Sequence, residues 1–163
     1  MFKQGAFIIG ISAVLSAPAM SQEVIRHSTP GSNFPIARAV EVPAGMTTVY
    51  LSGAVPSVVD TTADRATSAA YGDMETQTVS VLTSIEKTLA DLDLTMGDVV
   101  KMQAFLVAPD GEPLDFEGFM NGYTQFFGTT EQPNLPSRSV MTVAGLVSTG
   151  WLVEIEVTAV RPE

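Results

Sequence analysis

Apolar residues recur at three- and four-residue spacing from Met74 onward, through Thr78, Val81, Leu82, Ile85, Leu89 and Leu92. This period predicts an amphipathic helix ending near Asp91, with Asp73 as its N-cap. Thr95-Met96-Gly97-Asp98 breaks the period, and residues 99–108 then alternate, with Val100, Met102, Ala104 and Leu106 sharing one face of a predicted strand. Pro109-Asp110-Gly111 ends it. Helical spacing returns in Phe116, Phe119, Met120, Tyr123, Phe126 and Phe127, with Gly128 as a stop. The aromatic run is read as core rather than as a stacking platform, because each ring must bury a large apolar area and the face matches the helical period.

The flanks have the strand period. Residues 37–42 and 47–53 are β-rich and separated by Pro43-Ala44-Gly45-Met46, which predicts a hairpin. Residues 55–73 have no clear repeat and read as a loop broken at Gly72. Two more strands are predicted at 138–143 and 151–160, after a loop of Gln132-Pro133-Asn134-Leu135-Pro136. In the last, Val153, Ile155, Val157 and Ala159 face one way, and Leu152, Glu154, Glu156 and Thr158 the other, so one face packs on helices and the other carries carboxylates. The order β-β-α-β-α-β-β, without a convincing internal repeat, predicts an α+β layer with two helices on one sheet face.

The N-terminus changes the domain picture. Lys3, an apolar stretch over residues 6–15 and the small residues of Ala17-Pro18-Ala19 or Ala19-Met20-Ser21 read as a signal peptide over residues 1–22. The stretch is too short for a comfortable membrane span of about 20 residues. A periplasmic or secreted protein, with no membrane contact after cleavage, is the expectation; a retained anchor is the alternative. Residues 23–34, rich in Ser, Thr, Pro and Gly, read as an extended lead-in, and residues 35–163 as one domain.

Eight Lys and Arg against eighteen Asp and Glu give a net charge of −10. Nucleic acid and anionic membranes are poor partners for such a chain. There is no cysteine, hence no disulfide and no thiolate nucleophile. With His27 the only histidine, placed close to the expected mature N-terminus and read as a solvated tail residue, a transition-metal site built by one subunit is not expected.

The last third carries a recognisable pattern: Pro136-Ser137-Arg138-Ser139-Val140, then Leu152-Val153-Glu154-Ile155-Glu156-Val157-Thr158-Ala159-Val160. It resembles the signature of the RidA (YjgF) family, a Pro-x-Arg-Ser strand followed by a branched-aliphatic Glu-Ile-Glu strand. Leu51-Ser52-Gly53 with Pro56, residues 94–107 and residues 116–127 resemble further family segments in the same order, so the resemblance covers roughly residues 35–161. It implies a chorismate-mutase-like α+β fold, a homotrimer, and three clefts between neighbouring subunits.

Family members with deaminase activity hydrolyse 2-imino and enamino acids to 2-oxo acids and ammonia, with no cofactor. The resemblance assigns Arg138 to the substrate carboxylate, which its planar fork suits, since it donates two parallel hydrogen bonds and stays charged. It assigns Glu154 to the attacking water, as general base or by hydrogen bonding, and Ser52 and Gly53 to the same cleft. Ile36, Met120 with Asn121 beside it, and Val140 stand where the family commonly has Tyr, Asn and Cys, so the implied pocket is more apolar and takes a different or larger substrate. A salt bridge from Arg138 to Glu154 or Glu156 is the bland alternative; Glu156 is assigned to structure. A non-catalytic trimer that binds small anions and a chaperone-like surface protein are the competing functions.

Overall fold

In the computed structural model of the chain, residues 23–109 and 111–161 are described. The expected signal peptide, Asp110 of the expected turn and residues 162–163 of the expected domain lie outside them. Among the described residues six strands and two α-helices follow one another: β1 (Ile25–His27), β2 (Ala39–Glu41), β3 (Thr47–Tyr50), α1 (Met74–Ala90), β4 (Val99–Leu106), α2 (Phe116–Tyr123), β5 (Ser137–Thr142) and β6 (Val153–Arg161). The seven predicted elements are present in their predicted order, and β1 is added from the lead-in.

Four strands form the main sheet in the order β3-β6-β4-β5, with β4 and β5 parallel and the other pairs antiparallel. The α2 crossover between β4 and β5 makes the parallel pair possible. Both helices pack on one face, as the pattern predicts, and an α+β fold results. Met102, Ala104 and Leu106 of β4 lie opposite Val157, Ile155 and Val153 of β6, all buried beneath the helices. Val100 departs from the expected alternation, because the register shifts between Val99 and Lys101 and makes it the extra residue of a bulge. The helices approach closely at Gly122, where a Cβ would stand 2.8 Å from the Thr78 side chain.

The predicted hairpin is absent. Its first strand finds other partners: the Ala37 N–H bonds the Pro136 carbonyl at 3.0 Å, and the Arg38 N–H the His27 carbonyl at 2.7 Å. β2 therefore pairs with β1, while β3 pairs with β6. Arg26 ties this ribbon to the domain by donating to the carbonyls of Gly97 (2.8 Å) and Val99 (3.1 Å). His27, read as a tail residue, sits in β1 with Nε2 at 2.7 Å from the Glu41 carboxylate.

The α1 start follows the sequence closely. Asp73 Oδ1 accepts the Thr76 N–H at 2.9 Å, capping a helix end whose first N–H groups have no partner of their own. Hydrogen bonding from Thr76 holds the Asp73 carboxyl below its usual range. A depressed folded value means that this cap stabilises fully above the unfolded pKa of about 3.9 and is lost as pH falls through the lower folded value. Asp73→Ala is therefore expected to cost about 1 kcal/mol at neutral pH in urea unfolding, with the deficit shrinking as pH falls below the unfolded value of about 3.9. A deficit independent of pH would contradict the charged cap. The α2 end differs from expectation: the helix stops at Tyr123, where bonds from Gln125 N–H to the Gly122 carbonyl (3.3 Å) and from Phe126 N–H to the Tyr123 carbonyl (3.1 Å) tighten the last turn.

Candidate active site

β5 is an edge strand, and its pairing with β4 decides where Arg138 points. Arg138 lies opposite Met102, and Val140 opposite Ala104, so both side chains share the helix-covered face. The guanidinium carbon stands 4.1 Å from the Tyr123 ring centroid, 5.2 Å from that of Phe119 and 5.6 Å from that of Phe34. Nη2 lies 3.2 Å from Met120 Sδ, a weak acceptor, and Nη1 is buried with no hydrogen-bond partner. Among the described residues no carboxylate is within ion-pair distance of it, so the salt bridge to Glu154 or Glu156 is not made.

This slot is apolar and therefore hard on a charge. Burial lowers the Arg138 pKa below its usual value, with the Tyr123 phenol opposing the shift. Burial pushes the Tyr123 phenol up to about 12, with Arg138 pulling the other way. The phenol is thus neutral at working pH, and its hydroxyl donates to the Pro35 carbonyl at 2.9 Å.

A second group of residues forms on β6. Glu154 lies opposite Phe105, on the face away from the helices, half-buried. The segment after β3 runs alongside: the Leu51 N–H bonds the Val157 carbonyl at 3.0 Å, and the Ala54 N–H the Ile155 carbonyl at 2.8 Å. Ser52 and Gly53 between them are exposed, and Gly53 packs against the Glu154 side chain so closely that a Cβ there would collide with the carboxylate. Glu156 shares that face and, with Tyr50, Lys101, Gln103 and Thr158, lines a cleft of about 220 Å³.

The structure thus brings Arg138, Met120 and Val140 to one face of the sheet, and Glu154, Ser52 and Gly53 to the other. Strands β5 and β6 are separated by β4, so a single chain does not join the two groups. Ile36 joins neither, lining a cleft of about 220 Å³ with Arg26, His27, Pro133, Asn134 and Leu135. Asn121 is exposed, and its carbonyl accepts from Gln125 Nε2 at 3.2 Å. Phe34, Phe119 and Tyr123 are the residues of the Arg138 slot that the sequence reading left out: two were assigned to core, and Phe34 to the lead-in.

A family model described as endoribonuclease L-PSP matches residues 31–161. The chain belongs to this family. It is the RidA (YjgF) family of the sequence resemblance, and its model spans both groups of site residues. A RutC family protein of Leuconostoc mesenteroides subsp. cremoris is 28% identical over 143 residues, covering 87% of this chain and 100% of the relative. Among solved structures, E. coli TdcF with bound serine is 29% identical with a TM-score of 0.56, covering 81% of this chain and 92% of TdcF. The Rid family protein YyfB from Yersinia pestis, of unknown function, shares the fold at a TM-score of 0.61 and 24% identity, covering 86% of this chain and 98% of that one.

Proposed function

We propose that the chain is an exported enamine/imine deaminase, hydrolysing 2-imino acids to 2-oxo acids and ammonia in a cleft shared by two copies of the chain within a homotrimer. The observation that carries the reading is the half-buried Arg138 guanidinium, whose Nη1 is buried and unbonded and which has no carboxylate within ion-pair distance among the described residues. A buried cation without an anion is costly, and an organic carboxylate that receives two parallel hydrogen bonds from the fork removes that cost. The TdcF structure contains serine, a small molecule with such a carboxylate.

The opposed faces support the shared cleft. Arg138 of one copy would hold the carboxylate, while Glu154 of a neighbour, kept in place against Gly53, would face the imine carbon. Water adds to that carbon of the iminium as Glu154 accepts its proton; Glu154 passes the proton to nitrogen, and as the C–N bond breaks and ammonia leaves, the hydroxyl gives its own proton back to Glu154, forming the 2-oxo acid. An iminium is already electrophilic, so no covalent nucleophile is required. RNA cleavage, the activity in the family model's description, is disfavoured by the net charge of −10, which repels a phosphate backbone.

Complementation tests the shared cleft. Arg138→Ala and Glu154→Gln are each expected to be inactive alone in ammonia release from freshly generated imino acids. Refolded together in equal amounts, they are expected to regain about a quarter of the wild-type rate, because one neighbour pair in four then joins an intact Arg138 to an intact Glu154. No recovery from a mixture shown to form hybrid oligomers would reject it. A non-catalytic binding trimer is the second reading, favoured by the apolar Met120 and Val140 around Arg138; saturable 2-oxo acid binding without turnover of any imine would establish it.

A further inference from the structure

The geometry points to Phe34 as the residue that sets which carboxylate Arg138 accepts: we infer a preference for 2-imino and 2-oxo acids with aromatic or large apolar side chains. This inference rests on the reading of Arg138 as the carboxylate clamp. Phe119 and Tyr123 are buried members of the core, whereas Phe34 is 46% exposed, so its ring covers the guanidinium on one side and offers free surface on the other.

Phe34 is also held. Its N–H bonds Ser32 Oγ at 3.2 Å, and its carbonyl accepts the Ile36 N–H at 2.8 Å. The next carbonyl, of Pro35, receives the Tyr123 hydroxyl at 2.9 Å, and the Ala37 N–H bonds Pro136, two residues before Arg138, at 3.0 Å. The segment that carries the ring is therefore fixed by Tyr123, a slot residue on α2, and by Pro136, just before β5. Ile36, two residues on, turns to a different cleft and leaves Phe34 as the wall that this segment supplies.

The chemistry around the guanidinium excludes polar substituents. Met120 presents a thioether, and Phe34, Phe119 and Tyr123 present rings; the Tyr123 hydroxyl already donates to Pro35. A ligand hydroxyl or amide turned toward this wall would lose its water and find no replacement, whereas a phenyl ring would stack on Phe34.

Binding of phenylpyruvate, pyruvate and L-serine to the assembled protein, measured by isothermal titration calorimetry, tests this. Wild type is expected to bind phenylpyruvate about tenfold or more tightly than pyruvate, and serine weakest. Phe34→Ala should bring the ratio of phenylpyruvate to pyruvate affinity close to one, and Phe34→Tyr should keep it. Arg138→Ala should lose all three ligands. A ratio that survives Phe34→Ala, or a wild type that favours pyruvate or serine, overturns the role of Phe34 and leaves the clamp standing. Undiminished binding by Arg138→Ala, or no binding to wild type, overturns the clamp itself.

Discussion

Arg138→Ala is expected to lower the rate of imino acid hydrolysis by about 10²- to 10³-fold and to remove measurable 2-oxo acid binding. Two charge-assisted hydrogen bonds to one carboxylate, lost together in a site of low polarity, correspond to about 3–4 kcal/mol of transition-state binding. Lysine is a poor substitute, since a single ammonium cannot reproduce the fork. Ammonia release by the variant at the wild-type rate would reject the role of Arg138.

The same side chain makes a second expectation about stability. Its guanidinium lies among Phe34, Phe119 and Tyr123, with burial lowering its pKa and, among the described residues, no carboxylate to offset the loss of water. Replacing a desolvated charge by an apolar group of similar length removes that penalty, so Arg138→Met is expected to unfold at a higher temperature than wild type while binding no 2-oxo acid. Arg138→Ala, which leaves the rings uncovered, should not gain. Equal losses of stability in both variants would mean that the charge itself holds the fold.

Gln77→Leu is expected to be the most damaging single polar change in the described core, at about 3–5 kcal/mol in chemical unfolding. Gln77 is fully buried on α1; Nε2 donates to the carbonyls of Gly72 (2.9 Å) and Gly150 (3.1 Å), and Oε1 accepts the Leu152 N–H at 2.8 Å. A leucine fits in volume but leaves three backbone groups without this partner, two of them, at Gly150 and Leu152, buried. The effect should extend to chemistry, because Leu152 leads into β6 two residues before Glu154. Loss of stability below 1 kcal/mol would show that the loop before β6 finds other partners.

The helical and strand periods were legible because burial on one face writes them into the chain: Val81, Leu82, Ile85 and Leu89 on α1, and Val153, Ile155, Val157 and Ala159 on β6, are buried as their spacing predicts. Pairing was less legible. Residues 37–42 and 47–53 look like a hairpin locally, yet the first strand pairs with His27 in the turn-rich lead-in and with Pro136, far along the chain, while the second pairs with β6, and no local signal reports these partners. The same limit applies to the site. Arg138, Met120 and Val140 are on one face because of a parallel register, which alternation within one strand cannot show relative to another. Phe34 was hidden by its setting in a polar, turn-rich segment; the one clue was an aromatic two positions before Ile36, where the family pattern puts its own ring.

Arg138 and Glu154 look away from each other across one sheet, and the proposed reaction inherits a dependence on mass action. An isolated protomer would carry each half of the machinery and complete neither. Specific activity should then fall on dilution as the proposed trimers dissociate, and recover on concentration, without any unfolding. Under the proposed reading, the abundance of the chain itself, more than that of its substrate, would decide whether turnover occurs.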